Sequence, residues 1–119
     1  MATEKFAAYL TPEDFYGVLR PIAEQFGVER AVALAREFSN TFIYVPLFAS
    51  ESADLEMLDP DIAAWLQERY AGCQVLIPSI SRLKHIVAVR MAARGMRIDE
   101  IARQLSCHRS TVYEWLRAS

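Results

Sequence analysis

Cysteine, histidine and glycine are scarce in this chain of 119 residues, and each scarcity removes a class of chemistry. Two cysteines, Cys73 and Cys107, provide neither a disulfide framework nor a ligand set for structural zinc. His85 falls on an apolar helix face, and His108 adjoins Cys107 on a turn, where neighbours cannot easily hold one ion together. With no further ligands at suitable spacing, no metal and no cofactor is expected. Four glycines occur singly, so there is no loop to cradle a phosphate. The carboxylates of Glu51, Asp54, Glu56, Asp59 and Asp61 lack the glycine and regular spacing of a calcium loop, and read as an exposed connection. No apolar run reaches the roughly 20 residues that span a bilayer, so no membrane partner is expected. The first ten residues contain Glu4 and only a short apolar patch, unlike a secretory signal. Nothing marks a catalytic Ser/His/Asp set, so an enzyme is not expected. A reducing bacterial cytoplasm, in association with the nucleoid, is the expected location.

What the chain does have is apolar content and a divided charge. Hydrophobic residues make up 53%, enough for a core, although a chain of this length gains only marginal stability alone. Residues 1–78 carry 12 acidic and 5 basic side chains, a net of −7. Residues 79–119 carry 3 acidic and 8 basic ones, a net of +5. An acidic body with a basic end points to a polyanionic partner for that end.

The punctuation of the chain predicts mostly helices. Thr11 and Pro12 open a first helix, with Glu13 and Asp14 near its positive end. Phe15, Val18, Leu19, Ile22 and Phe26 follow at helical spacing, with a kink or break near Arg20 caused by Pro21. Gly27 ends it. A second helix runs from about Val28 to Phe38. "TFIYVP" then reads as a strand closed by Pro46. After an acidic connection, Asp59 and Pro60 start a third helix to about Tyr70, and "CQVLIP" makes a second strand closed by Pro78. Shifted by 32 residues, "EFSNTFIYVP" lies over "RYAGCQVLIP", which predicts a repeated helix–turn–strand unit whose two strands can pair. Such a ribbon is marginal in water unless helices cover it. A helix capped by Ser79 or Ser81 and ended by Gly95 links this body to the last segment.

That segment, "RIDEIARQLSCHRSTVYEWL", has the spacing of a helix-turn-helix. Ile98, Ile101, Ala102 and Leu105 line one face of its first helix, and the small Ala102 lets a second helix cross closely. Ser106 takes the turn, where glycine is the easier residue. Cys107 fills the buried turn position and His108 caps a helix beginning at Arg109. Val112, Trp115 and Leu116 fall together on the inward side. Arg109, Ser110, Thr111, Tyr113, Glu114 and Arg117 then offer side chains to base edges in the major groove. Arg90, Arg94, Arg97, Arg103 and His108 surround them and suit the DNA backbone.

With these elements in place, the chain resembles the Mor family of phage middle-transcription activators, which includes the related C proteins. The residues that carry the likeness are "RYAGCQVLIP", the basic helix behind it and the terminal "IDEIARQLSCHRSTVYEWL". It covers residues 60–116 well and 12–46 more loosely. The resemblance implies a homodimer formed by the N-terminal helices and strand, with two helix-turn-helix units reading the half-sites of a dyad. It also implies promoter-proximal binding and contact with RNA polymerase. A strand near the DNA or the dimer axis would bring in Gly72, Gln74 and Pro78. Ala71 and Leu76 stand where the family has its first glycine and its tyrosine.

The expected fold is mostly α with a small β ribbon. Residues 1–78 would form a helical dimerisation region with two helix–strand units, and 79–119 a linker helix with the helix-turn-helix. The expected partners are double-stranded DNA, a second copy of the chain and RNA polymerase. Whether the repeated strands pair within one chain or across a dimer stays open. So do two alternatives: a protein-interaction module without a DNA target, and a DNA-binding fragment of a recombinase or transposase.

Overall fold

The computed structural model describes residues 3–48 and 57–118. Their helices are α1 (Thr3–Ala7), α2 (Leu19–Phe26), α3 (Val28–Glu37), α4 (Pro60–Tyr70), α5 (Ile80–Ala93), α6 (Ile98–Gln104) and α7 (Arg109–Ala118). Strands β1 (Thr41–Val45) and β2 (Cys73–Ile77) form one two-stranded sheet. The mostly helical class with a small ribbon is therefore the observed one. Most of the acidic connection, including Glu51, Asp54 and Glu56, lies outside the described residues. The molecule measures 49 × 23 × 22 Å, and its radius of gyration of 15.6 Å exceeds the roughly 13.5 Å of a compact chain this long. It is a rod, with the ribbon and the helix-turn-helix both attached to α5.

The first helix does not begin where the Thr11–Pro12 signal put it. Pro12–Asp14 make only a 3-10 turn, and Phe15 is extended at φ −90° and ψ 153°. Gly17 then adopts φ +53°, a left-handed conformation that interrupts a right-handed helix. Phe15 and Val18, on either side of this interruption, are both buried, at 1% and 8% exposure. Since α2 starts only at Leu19, Pro21 lies in its first turn, where the missing N–H is not needed and no kink results. A short α1 also precedes it and buries Phe6 under the guanidinium of Arg36, 5.0 Å from the ring centroid.

The repeat becomes a ribbon inside one chain. β1 and β2 run antiparallel with Thr41 opposite Ile77, Ile43 opposite Val75 and Val45 opposite Cys73. Ile43 and Val75 are also the residues that the 32-residue shift superimposes, so a quasi-two-fold axis passes through that pair. Ile43, Val45, Val75 and Ile77 bury the inner face. Phe42, Tyr44 and Leu76 on the outer face remain 61%, 46% and 43% exposed. Asp59 joins the two units: it caps α4 by accepting from the Asp61 N–H at 2.9 Å and receives Arg30 of α3 in a two-pronged contact of 2.7 and 2.5 Å. Hydrogen bonds from Arg30 hold the Asp59 carboxyl below its ordinary range, against a smaller upward push from burial.

α5 is the shared wall. Ser79 caps it by accepting from the Ser81 N–H at 3.1 Å, while Ser39, in the turn before β1, accepts from the Ile80 N–H at 2.9 Å. Leu83, Val87, Ala88 and Met91 are buried, in one continuous core with residues of the body and of the last two helices. Arg90 closes the joint. It donates to both oxygens of Asp14 at 2.6 and 2.8 Å and to the Tyr9 carbonyl at 2.6 Å. Burial pushes the Asp14 carboxyl up, but Arg90 and the Thr11 N–H outweigh it, and the net shift is downward from 3.8.

A depressed folded-state pKa contributes stability that is fully present above the unfolded value and is lost as pH falls through the folded one. Asp14→Asn is expected to cost about 1–2 kcal/mol at pH 7, less than a fully buried pair because Arg90 remains partly exposed. Urea unfolding at pH 7 and at pH 3 checks this: the cost should shrink at the lower pH, where the native carboxyl also begins to protonate.

Candidate nucleic-acid interface

Three helices build the basic end, and two matching turns join them. Both turns are the double hydrogen-bonded kind that ends a helix in a left-handed residue. After α5, Gly95 sits at φ +88°, with the Met96 N–H donating to Met91 O at 3.1 Å and the Gly95 N–H to Ala92 O at 3.0 Å. After α6, Ser106 sits at φ +55°, with the Cys107 N–H donating to Ala102 O at 3.0 Å and the Ser106 N–H to Arg103 O at 3.3 Å. Ser106 thus holds the position expected to prefer glycine, and carries a side chain there at a conformational cost.

Ile101, Ala102, Leu105 and Val112 are buried and hold α7 across α6. Cys107 is half-buried against the same core, and burial pushes its thiol up, so it remains a neutral packing group. The carbonyl of His108 accepts from the N–H groups of Thr111 and Val112 at 3.1 and 3.3 Å, which makes His108 the residue that leads into α7. Trp115 turns inward and stacks on His85, with ring centroids 6.0 Å apart and planes 10° from parallel. His85 Nε2 also lies 3.0 Å from the Trp115 carbonyl, an acceptor, so this nitrogen carries the hydrogen. His85 therefore fastens α7 to α5.

The opposite side of α7 faces solvent. Arg109, Ser110, Tyr113, Glu114 and Arg117 are exposed and Thr111 is half-buried, so the six expected base-contacting residues share an accessible helix. Arg94, Arg97, Arg103 and His108 are exposed around it. The Arg94 guanidinium lies 4.6 Å from the centre of the Tyr9 ring, so the aromatic face steadies it beside the joint.

Two of the expected residues are placed differently. Arg90 is bonded to Asp14 and to the Tyr9 carbonyl at the joint, rather than standing free around α7. Pro78 is half-buried beside Gly17, as a packing residue between the ribbon and the N-terminal turn. Gly72 and Gln74 are exposed but belong to the ribbon rather than to the helix-turn-helix. One residue escaped the sequence reading. Asp99, in the first turn of α6, forms an ion pair with Arg109 Nε at 2.7 Å across the turn. Ten positions separate the two, and neither helical nor strand periodicity links residues that far apart.

Residues 80–119 match the family model of the homeodomain-like domain. No curated protein and no solved structure matches the chain. The chain thus ends in a homeodomain-like helix-turn-helix, a DNA-binding fold, and the match carries nothing peculiar to the Mor family. Among the described residues no helix is long and apolar enough to cross a membrane.

The left-handed turn yields a direct test. Ser106→Gly is expected to stabilise the chain by about 1 kcal/mol, the usual relief for such a position. Ser106→Val should destabilise it by more, since a branched side chain tolerates φ > 0 poorly. Thermal unfolding of the two variants decides it, and equal losses in both would contradict this turn.

Proposed function

We propose that this chain is a sequence-specific regulator of transcription that binds double-stranded DNA as a homodimer, of the Mor-like kind and in a phage or prophage setting. The observation that carries the proposal is the exposed polar face of α7 on a homeodomain-like helix-turn-helix, ringed by arginines. α7 enters the major groove with its N-terminal residues toward the base edges. Arg109 contacts guanine through two N–H groups, and Ser110 and Thr111 reach a base or a neighbouring phosphate. Glu114 accepts from cytosine or repels the wrong site, while Tyr113 and Arg117 extend the footprint. Arg94, Arg97, Arg103 and His108 supply the phosphate contacts that fix the register.

In this proposal residues 1–78 assemble the dimer and 79–119 read DNA. One short recognition helix reads only a half-site, and two copies related by a dyad read a palindrome. The pairing of β1 with β2 uses one edge of each strand within the chain. The bare outer face of Phe42, Tyr44 and Leu76 is then the surface that supports the second copy. Gly72 and Gln74 would lie nearest the DNA between half-sites. Promoter activation through RNA polymerase rests on the family resemblance, and repression by occlusion would use the same residues.

The experiment is selection from random duplex DNA at two salt concentrations, with the solution mass measured in the same buffer. An enriched palindrome, steep salt dependence and a dimer mass are expected. Arg109→Ala should relax one position of the site by about 1–3 kcal/mol. Arg103→Ala should weaken binding to all sequences alike and lower the salt slope by about 1. Phe42→Glu should convert the dimer to monomer while leaving the fold intact. Absence of both enrichment and salt sensitivity would instead favour a protein-interaction module, with the terminal helices serving only as packing.

A further inference from the structure

We propose that Asp99 is the positioning residue that sets the sequence preference of Arg109, so that base reading at α7 is shared with α6. This inference rests on the DNA-reading proposal for α7. Arg109 is the first residue of α7, and its Nε forms an ion pair with Asp99 Oδ1 at 2.7 Å. The pair is well exposed, with 63% of the Arg109 side chain and 54% of the Asp99 side chain open to solvent. An ion pair that exposed adds little to folding. Its place at the start of the recognition helix gives it another use.

Guanidinium chemistry explains that use. The group is planar and has five N–H donors on three nitrogens. Asp99 engages Nε alone, which leaves both Nη groups for guanine O6 and N7. A long side chain that is free in solution must give up its rotamer freedom on binding. An arginine already held by one edge gives up less, and the direction in which its other edge points is set by the protein.

The carboxylate has an opposite effect on general affinity. Asp99 is one of only three acidic residues in the basic half, with Glu100 and Glu114. A negative charge beside the DNA backbone weakens binding to every sequence alike. Asp99 therefore lowers attraction to random DNA and raises discrimination at one base pair, in the manner of a specificity device.

The test uses the full chain with Asp99→Ala, Asp99→Asn, Arg109→Ala and the double alanine variant. Each is put through selection from random duplexes, followed by titration against the best site and its single-pair variants. Arg109→Ala identifies the base pair that Arg109 reads. Asp99→Ala should lose roughly three- to tenfold of the discrimination at that same pair and bind random DNA more tightly. Asp99→Asn keeps an oxygen that can accept from Nε, so it should retain most of the discrimination. The double variant should lose no more than Arg109→Ala alone. Equal behaviour of Asp99→Ala and Asp99→Asn would mean charge alone matters, and would overturn the inference. So would an unchanged preference at the Arg109 pair, or a loss at a different pair, which would make Asp99 a direct reader. In all of these cases the wild type still selects a site and the DNA-reading proposal stands. A wild type that enriches no sequence overturns that proposal and the role of Asp99 with it.

Discussion

α5 has to pack against the body and the helix-turn-helix at once, and the rest of the structure depends on that constraint. Leu83, Val87, Ala88 and Met91 meet this demand by taking the body and the helix-turn-helix into a single core. In a chain with free cysteines, that shared burial is the main bond between its ends. Arg90 and Asp14 then seal the boundary with charged groups that satisfy one another and the Tyr9 carbonyl. The recognition helix takes its orientation from the same wall, through the stack of Trp115 on His85.

The charge split gives this rod a direction. Its acidic body repels the DNA backbone, and its basic end attracts it, so encounters are steered toward α7. Within the basic half, however, not every arginine serves attraction. Arg90 is engaged by Asp14, and Arg109 is paired with Asp99. Positive charge is partly converted into geometry. A protein that merely needed to adhere to DNA would have little reason to place carboxylates beside its leading arginine.

The ribbon illustrates how duplication changes the use of a surface. In a single chain the two helix–strand units pair about the Ile43–Val75 position and satisfy each other's inner edges. Their inner face joins the core, while the outer face keeps two aromatic rings and a leucine in water. Internal pairing thus leaves an apolar face on the outer side of the ribbon.

Much of this was legible in the residues because it depends on local chemistry. The α3 and α4 boundaries, the two strands, the Gly95 stop, the turn at Ser106 and the inward Val112 and Trp115 all follow from periodicity and caps. The accessible side of α7 follows from the same 100° geometry. What the sequence could not carry is whatever joins residues far apart along the chain. Thr11 and Pro12 are a sound helix start, yet the extended Phe15 and Gly17 at positive φ cut them to one turn. Arg90 had the spacing of a phosphate contact until Asp14, 76 residues away, claimed it. Asp99 showed only as an acid in a first helical turn, and only the crossing of α6 with α7 brought it to Arg109. The sequence by itself determined which helices and strands form and which faces are apolar, because those depend on neighbours within a few residues. The tertiary structure alone decided which charges are free to meet DNA, because a charge is spent or available only once its distant partners have been packed beside it.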